Sequence, residues 1–240
     1  YAAADRPVVT VGDIGTGDGW LAVALALFTP YRVIALDLNP QRLWRTRRFA
    51  RMAGVAERIE WVSGSVSRLP FADRAIDVSF CVEVLEHATD QGDAVRELAR
   101  VTRQLLVMST PNQLFPILGH DTRLPFCHWL PLNWRDRYAT AMGRRDQQEG
   151  NRFLAPVDLT SGLAGFRRVS AFLQFPSYAA YRQARGYPAG CSQAARLTRF
   201  GRDTYLAAAG RVGYRGMHLM PNLASAWLRE TGWDLAAERP

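Results

Sequence analysis

Val8-Val9-Thr10-Val11-Gly12-Asp13-Ile14-Gly15-Thr16-Gly17-Asp18-Gly19 decides the fold of this chain. The β-branched run from Val8 to Val11 has the composition of a buried parallel strand. It empties into a turn with glycine at positions 15, 17 and 19. Glycine lets a backbone turn tightly and come close to a ligand where a Cβ would collide. The apolar segment Trp20 to Phe28 then reads as a helix, closed by Thr29-Pro30. Its first N–H groups have no partners within the helix and, with the positive dipole end, attract an anionic group. Gly-x-Gly-x-x-Gly, the dinucleotide fingerprint, would need glycine where Trp20 stands, which argues against a nicotinamide cofactor.

Outward from this turn, strand and helix patterns alternate. Arg32 to Leu36 reads as a strand ending on Asp37, and Pro40 opens a helix running to about Ala53, stopped by Gly54. Arg58 to Val62, Ile76 to Phe80 and Leu105 to Met108 read as further strands, with a helix over Asp93 to Thr102. After Pro111 the alternation breaks. Between Asn112 and Gly150 lie Pro116, Pro125 and Pro131 and the stretch Phe126-Cys127-His128-Trp129-Leu130-Pro131, expected to form an inserted lid. Phe166 to Phe175 and a segment within Met217 to Leu228 are expected to complete the sheet. The pattern predicts a Rossmann-like, doubly wound α/β fold: a mostly parallel seven-stranded sheet with helices on both faces. A single domain is expected, in three parts: residues 1–111 holding the cofactor, 112–165 the lid and acceptor-binding segment, and 166–240 closing the sheet.

Composition narrows the class further. At 240 residues, with 48% hydrophobic and 22% charged residues, the chain suits one large globular domain. The run from Trp20 to Phe28 is too short to cross a bilayer. The chain opens at Tyr1 without a signal-peptide pattern, and Cys81, Cys127 and Cys191 are widely spaced and odd in number, so a reducing, cytoplasmic setting is expected. The net charge is +8, and all 30 basic residues are arginine. Such a balance admits a nucleic-acid or anionic-lipid partner, so peripheral membrane contact stays open. The arginines are spread along the chain rather than gathered in a tract, which argues against nucleic acid. Arg42, Arg45 and Arg48 recur at helical spacing and read as a solvated face.

Four marks, in order, resemble the class I S-adenosylmethionine-dependent methyltransferases, in the broad subfamily that includes ubiquinone-biosynthesis enzymes. The first is Asp13-Ile14-Gly15-Thr16-Gly17-Asp18-Gly19, similar to that family's first motif. The second is Leu36-Asp37-Leu38-Asn39, where a strand-end carboxylate can accept hydrogen bonds from two ribose hydroxyls. The third, Gly64-Ser65-Val66-Ser67-Arg68-Leu69-Pro70-Phe71, resembles Gly-Asp-Ala-x-x-Leu-Pro-Phe, with Ser65 replacing the usual Asp. The fourth is Phe80-Cys81-Val82-Glu83-Val84-Leu85-Glu86-His87, followed by Ser109-Thr110-Pro111-Asn112. The resemblance implies S-adenosylmethionine as cofactor and S-adenosylhomocysteine as product. It implies Asp13, Gly15, Thr16 and Gly17 around the methionine part, Asp37 on the ribose and Leu38 against the adenine. Ser65, Val66 and Cys81 complete the expected cofactor set, with the Val66 backbone able to carry adenine recognition.

Methyl transfer to a hydroxyl also needs a group to take the proton, and a histidine suits neutral pH. His120-Asp121, after the fifth strand, offers an imidazole with an orienting carboxylate and is the expected catalytic pair. Glu83, Glu86 and His87 resemble the metal-binding set of ubiquinone-type O-methyltransferases and could hold a divalent ion. They read equally as packing residues, and no metal ligands are assigned. Phe126, Trp129, Leu130 and Trp134 would either line an apolar acceptor pocket or form the lid's own core. The expected acceptor is a small molecule, lipid-like, glycosidic or polycyclic, methylated on oxygen. An RNA methyltransferase and a non-catalytic S-adenosylmethionine-binding protein are the competing readings.

Overall fold

A strand buried on both faces needs apolar side chains at nearly every position, and the β2 sequence Arg32–Asp37 (RVIALD) meets that requirement. Val33 and Ala35 face one side of the sheet, Ile34 and Leu36 the other, and each pair enters a separate core cluster. The computed structural model describes residues 7–113, 122, 124–144, 151–169 and 223–230. Within them, β1 (Thr10–Ile14), β2 (Arg32–Asp37), β3 (Ile59–Ser63), β4 (Ile76–Val82) and β5 (Thr102–Ser109) pair in parallel. β6 (Phe166–Arg168) and β7 (Ser225–Arg229) close the sheet, with β7 antiparallel to both β5 and β6. The strand order is β3-β2-β1-β4-β5-β7-β6, so the expected seven-stranded, largely parallel sheet is present. Strand order reverses at β1 and β4, and the carboxyl ends of the strands there are where open α/β sheets bind ligands.

Helices α1 (Trp20–Phe28) and α2 (Pro40–Met52) cover one face through Ala22, Val23, Ala26 and Ala50. On the other face α3 (Gln91–Val101) buries Ala94, Val95 and Leu98 against Ile14, Leu36 and Leu106. Asp90 caps α3, its carboxylate accepting the Asp93 N–H at 2.8 Å, so the helix starts two residues before the expected Asp93. Asn39 does the same for α2, with Pro40 at the first helical position.

Several strand boundaries correct the sequence reading. β1 runs over Thr10–Ile14 rather than Val8 to Val11, and Val9 is exposed. The Asp77 carboxylate accepts the N–H groups of Val9 and Thr10, at 3.0 and 2.9 Å, while ladder pairing begins at Thr10 and continues to Ile14. β6 spans only Phe166–Arg168 of the expected Phe166 to Phe175, and residues 170–175 lie outside the described set. β7 occupies Ser225–Arg229, reaching one residue past the expected Met217 to Leu228, whose residues 217–222 also lie outside the described set.

In the expected lid, α4 (Leu132–Ala141) packs beside a short 3-10 turn at Cys127–Trp129. Its small core is Leu124, Cys127 and Ala139, with Tyr138 against them. Phe126, Trp129, Leu130 and Trp134 are exposed instead. α5 (Pro156–Ser161) then returns the chain to the main core through Leu159.

Candidate functional site

Between β1 and α1 the chain makes three left-handed turns, at Gly15 (φ 80°), Gly17 (φ 53°) and Gly19 (φ 79°). Two of these glycines are required sterically as well. A Cβ on Gly15 would sit 2.3 Å from Val84 Cγ2, and one on Gly19 would sit 1.9 Å from Thr46 Cγ2. Gly17 differs, for its missing Cβ would point into space whose nearest neighbours are 3.9 Å away. The loop is pinned from below: Gly15 and Thr16 donate their N–H groups to the Leu36 carbonyl at 2.7 and 2.8 Å. Asp13, buried, accepts from the Thr16 hydroxyl at 2.7 Å and from the Ala22 N–H at 3.0 Å. Burial pushes its carboxyl up to about 6.

Asp37 sits at the end of β2 and joins two sides of the site. One carboxylate oxygen accepts the Gly17 N–H at 2.9 Å and the other accepts the Asn39 N–H at 2.8 Å. A carboxylate offers about four lone-pair sites, so each oxygen keeps capacity for one more donor, as a vicinal diol would supply. Above it lies a cavity of about 730 Å³, within the usual small-ligand range of ~300–1,000 Å³. Gly15, Asp37, Leu38, Ser65 and Val66 line one part of it, with Pro40 and Arg42 from the start of α2. Leu38 is exposed and presents an apolar surface at this wall. The spare acceptor capacity of Asp37 and the apolar Leu38–Val66 wall fit a nucleoside.

Asp37→Ala should weaken binding of S-adenosylhomocysteine at least about tenfold, or ~1.4 kcal/mol. It also leaves the Gly17 and Asn39 N–H groups without their acceptor, so thermal unfolding should occur at lower temperature. Calorimetry checks the first effect, and an unchanged affinity removes the ribose role from Asp37.

Another part of the cavity is lined by Glu83, Val84, His87, Ala88, Thr89 and Asn151. Glu83 has φ 55°, a left-handed conformation uncommon outside glycine. Its N–H donates to the Ser109 carbonyl at 2.7 Å, and the Ser109 hydroxyl donates to Oε1 at 2.6 Å. Strain of this kind persists where surrounding bonds over-determine the position, as here between β4 and β5. His87 Nδ1 lies 2.8 Å from Asn151 Oδ1. An amide oxygen can only accept, so Nδ1 is the donor in this contact. Glu86 turns away into the core, where the Thr110 hydroxyl donates to Oε2 at 3.0 Å and burial raises the carboxyl to about 7. Glu83, Glu86 and His87 are thus directed at separate partners. Among the described residues no group of three His, Cys, Asp or Glu side chains is placed to hold a metal ion.

Of the expected cofactor residues, Gly15, Asp37, Leu38, Ser65 and Val66 meet at the cavity. Asp13, Thr16 and Gly17 form the layer behind it and fix the loop and Asp37. Cys81 lies elsewhere: it is fully buried in the main core and absent from the cavity wall, and burial raises its thiol well above the usual range. His120 and Asp121 lie outside the described residues. Asn151 and Arg42 were not anticipated at the site. Arg42 was legible as the first turn of α2, which Asn39-Pro40 announces. Asn151 reaches His87 across 64 residues of sequence, and no local pattern marks such a contact.

Residues 12–105 match the family model described as a methyltransferase domain. An uncharacterized methyltransferase of Mycobacterium sp. (strain KMS) is 31% identical over 175 residues, covering 70% of this chain and 65% of its own length. A sterol 24-C-methyltransferase of Aspergillus fumigatus is 29% identical over 158 residues, covering 66% of this chain and 36% of its own. The chain therefore spans less than two thirds of the first relative and about a third of the second. The crystal structure of the YcgJ protein from Bacillus subtilis superimposes with a TM-score of 0.53 at 18% identity, over 96% of each chain, a likeness of fold.

Proposed function

We propose that the chain, whose residues 12–105 match a methyltransferase domain and which resembles the class I S-adenosylmethionine-dependent methyltransferases, methylates an oxygen of a small, lipid- or glycoside-like metabolite. The observation that carries the reading is one cavity shared by the Gly15–Asp37 wall and by His87. S-adenosylmethionine, when bound, supplies a methyl group on a positively charged sulfur, a centre open to in-line displacement. The chain's own residues then have three tasks. Asp37 and the glycine loop hold the nucleoside, Leu38, Val66 and Val84 keep the cavity wall apolar, and a base takes the acceptor's hydroxyl proton.

His87 is suited to the last task. Asn151 holds its Nδ1–H, which leaves Nε2 to accept the proton as the hydroxyl oxygen forms its new bond to carbon. His120 with Asp121 is the base proposed from sequence, and substitution separates the two histidines. The Aspergillus relative's name specifies methylation at carbon, which favours a carbon acceptor as the second reading.

Calorimetry with S-adenosylmethionine and S-adenosylhomocysteine, followed by a labelled-methyl screen of metabolite and lipid extracts, tests the proposal. Micromolar or tighter cofactor binding and a labelled product with an O-methyl resonance in its NMR spectrum are expected. A C-methyl product would establish the second reading. Absence of cofactor binding would end both.

A further inference from the structure

α1 is apolar throughout (WLAVALALF), yet only one side of it is covered. Ala22, Val23 and Ala26 face the sheet, while Trp20, Leu27 and Phe28 are exposed, Phe28 at 83%. A helix apolar all round is expected to be buried, so among the described residues the outer face of α1 lacks the cover its composition calls for. α2 lies alongside, and the Trp20 and Phe49 rings join the two helices with centroids 4.8 Å apart. At about 100° per residue, Trp44, Arg45, Arg48, Arg51 and Met52 fall within a sector of roughly 120°, opposite the buried Leu43, Thr46 and Ala50. All five are exposed, Met52 at 81%. Neither helix contains an acidic residue, and among the described residues Arg45, Arg48 and Arg51 have no ion-pair partner. A merely solvated arginine face would not carry Trp44 and Met52 among the charges.

We propose that this α1–α2 face docks on the surface of an anionic lipid bilayer. Arginine guanidiniums pair with phosphate oxygens while their stems lie along apolar surface, and tryptophan favours the headgroup level. Leucine, phenylalanine and methionine supply the part that enters the acyl boundary. A nucleic acid has the matching charge, but the aliphatic Leu27 and Met52 give it nothing to bond or stack upon. A second copy of this chain would bring arginine against arginine. Pro40 and Arg42 of α2 line the cavity, so docking would bring a helix that carries part of the cavity wall to the bilayer. The binding itself does not depend on the methyl-transfer reading and can fail or succeed separately from it.

The test is co-sedimentation of the full chain with extruded vesicles of phosphatidylcholine alone or mixed with phosphatidylglycerol. Partitioning onto the anionic vesicles, weakened by salt, is expected. Arg45→Gln/Arg48→Gln/Arg51→Gln should lower the anionic partition coefficient at least about tenfold. Trp44→Ser/Met52→Ser should lower it severalfold even at high salt. Both variants should keep the parent's unfolding temperature and S-adenosylhomocysteine affinity, since none of these residues lines the cavity. Equal binding by parent and triple variant would overturn the proposal. So would self-association that buries the face without vesicle binding, or an arginine-dependent affinity for RNA where vesicles are ignored.

Discussion

His87→Ala is expected to lower kcat for O-methylation by about 10²- to 10⁴-fold, the usual contribution of a positioned general base, while S-adenosylhomocysteine affinity changes little. The argument rests on which nitrogen is free. Asn151 Oδ1 can only accept, so it engages Nδ1 as donor, while His87 lines the cavity and Nε2 is the nitrogen proposed to take the proton. Asn151→Ala should produce an intermediate loss, because the imidazole survives but is no longer oriented. Full turnover in His87→Ala together with strong loss in His120→Ala would give the base to His120. Full turnover in both would leave positioning alone to carry the reaction, as it can for a nucleophile that needs no deprotonation.

The wall of the cavity formed by short sequence intervals was legible because its chemistry is local. Glycines at 15, 17 and 19 announce left-handed backbone, and the structure uses all three that way. Asp37 could be placed because a strand end is set by the apolar run before it and by Asn39-Pro40 after it. Asp13 shows where local reading falls short. Sequence places an acid beneath the loop, but only packing shows its carboxylate already engaged by Thr16 and Ala22, one layer behind the cavity. Cys81 shows a related limit: its side chain packs into the main core, and the motif alone does not say which side of β4 it takes. The Glu83–Asn151 wall was the least legible. Glu83 owes its place to an unusual backbone angle, and His87 owes its Nδ1 contact to Asn151, so neither follows from the motif alone. The exposed Phe126, Trp129 and Trp134 also escape local reading, since aromatic content says how much surface could be buried, not whether anything covers it.

Glu86→Gln is expected to stabilise the protein by up to about 3 kcal/mol at pH 8 and to do little below pH 5. The sign follows from the direction of the shift. Burial raises the Glu86 carboxyl from 4.5 to about 7, with Glu83 adding to the rise, so the folded state holds a proton that the unfolded chain has released. Glu86 therefore favours folding most below about pH 4.5, and its contribution declines until it levels off above about 7. Glutamine is neutral throughout. Its amide oxygen can still accept from the Thr110 hydroxyl, and its NH₂ replaces the Oε1 that lacks a hydrogen-bond partner. Asp13, raised to about 6 by its own burial, gives the parent a second decline over the same range. The difference between variant and parent cancels that part, because Asp13 is common to both. Urea unfolding at pH 5 and pH 8 reads the effect directly. A gain of the same size at both pH values would point to packing rather than charge as its cause. Destabilisation at pH 8 would mean that the ionised carboxylate is held by a donor worth more than its desolvation, in which case Glu86 belongs to the site rather than to the core behind it.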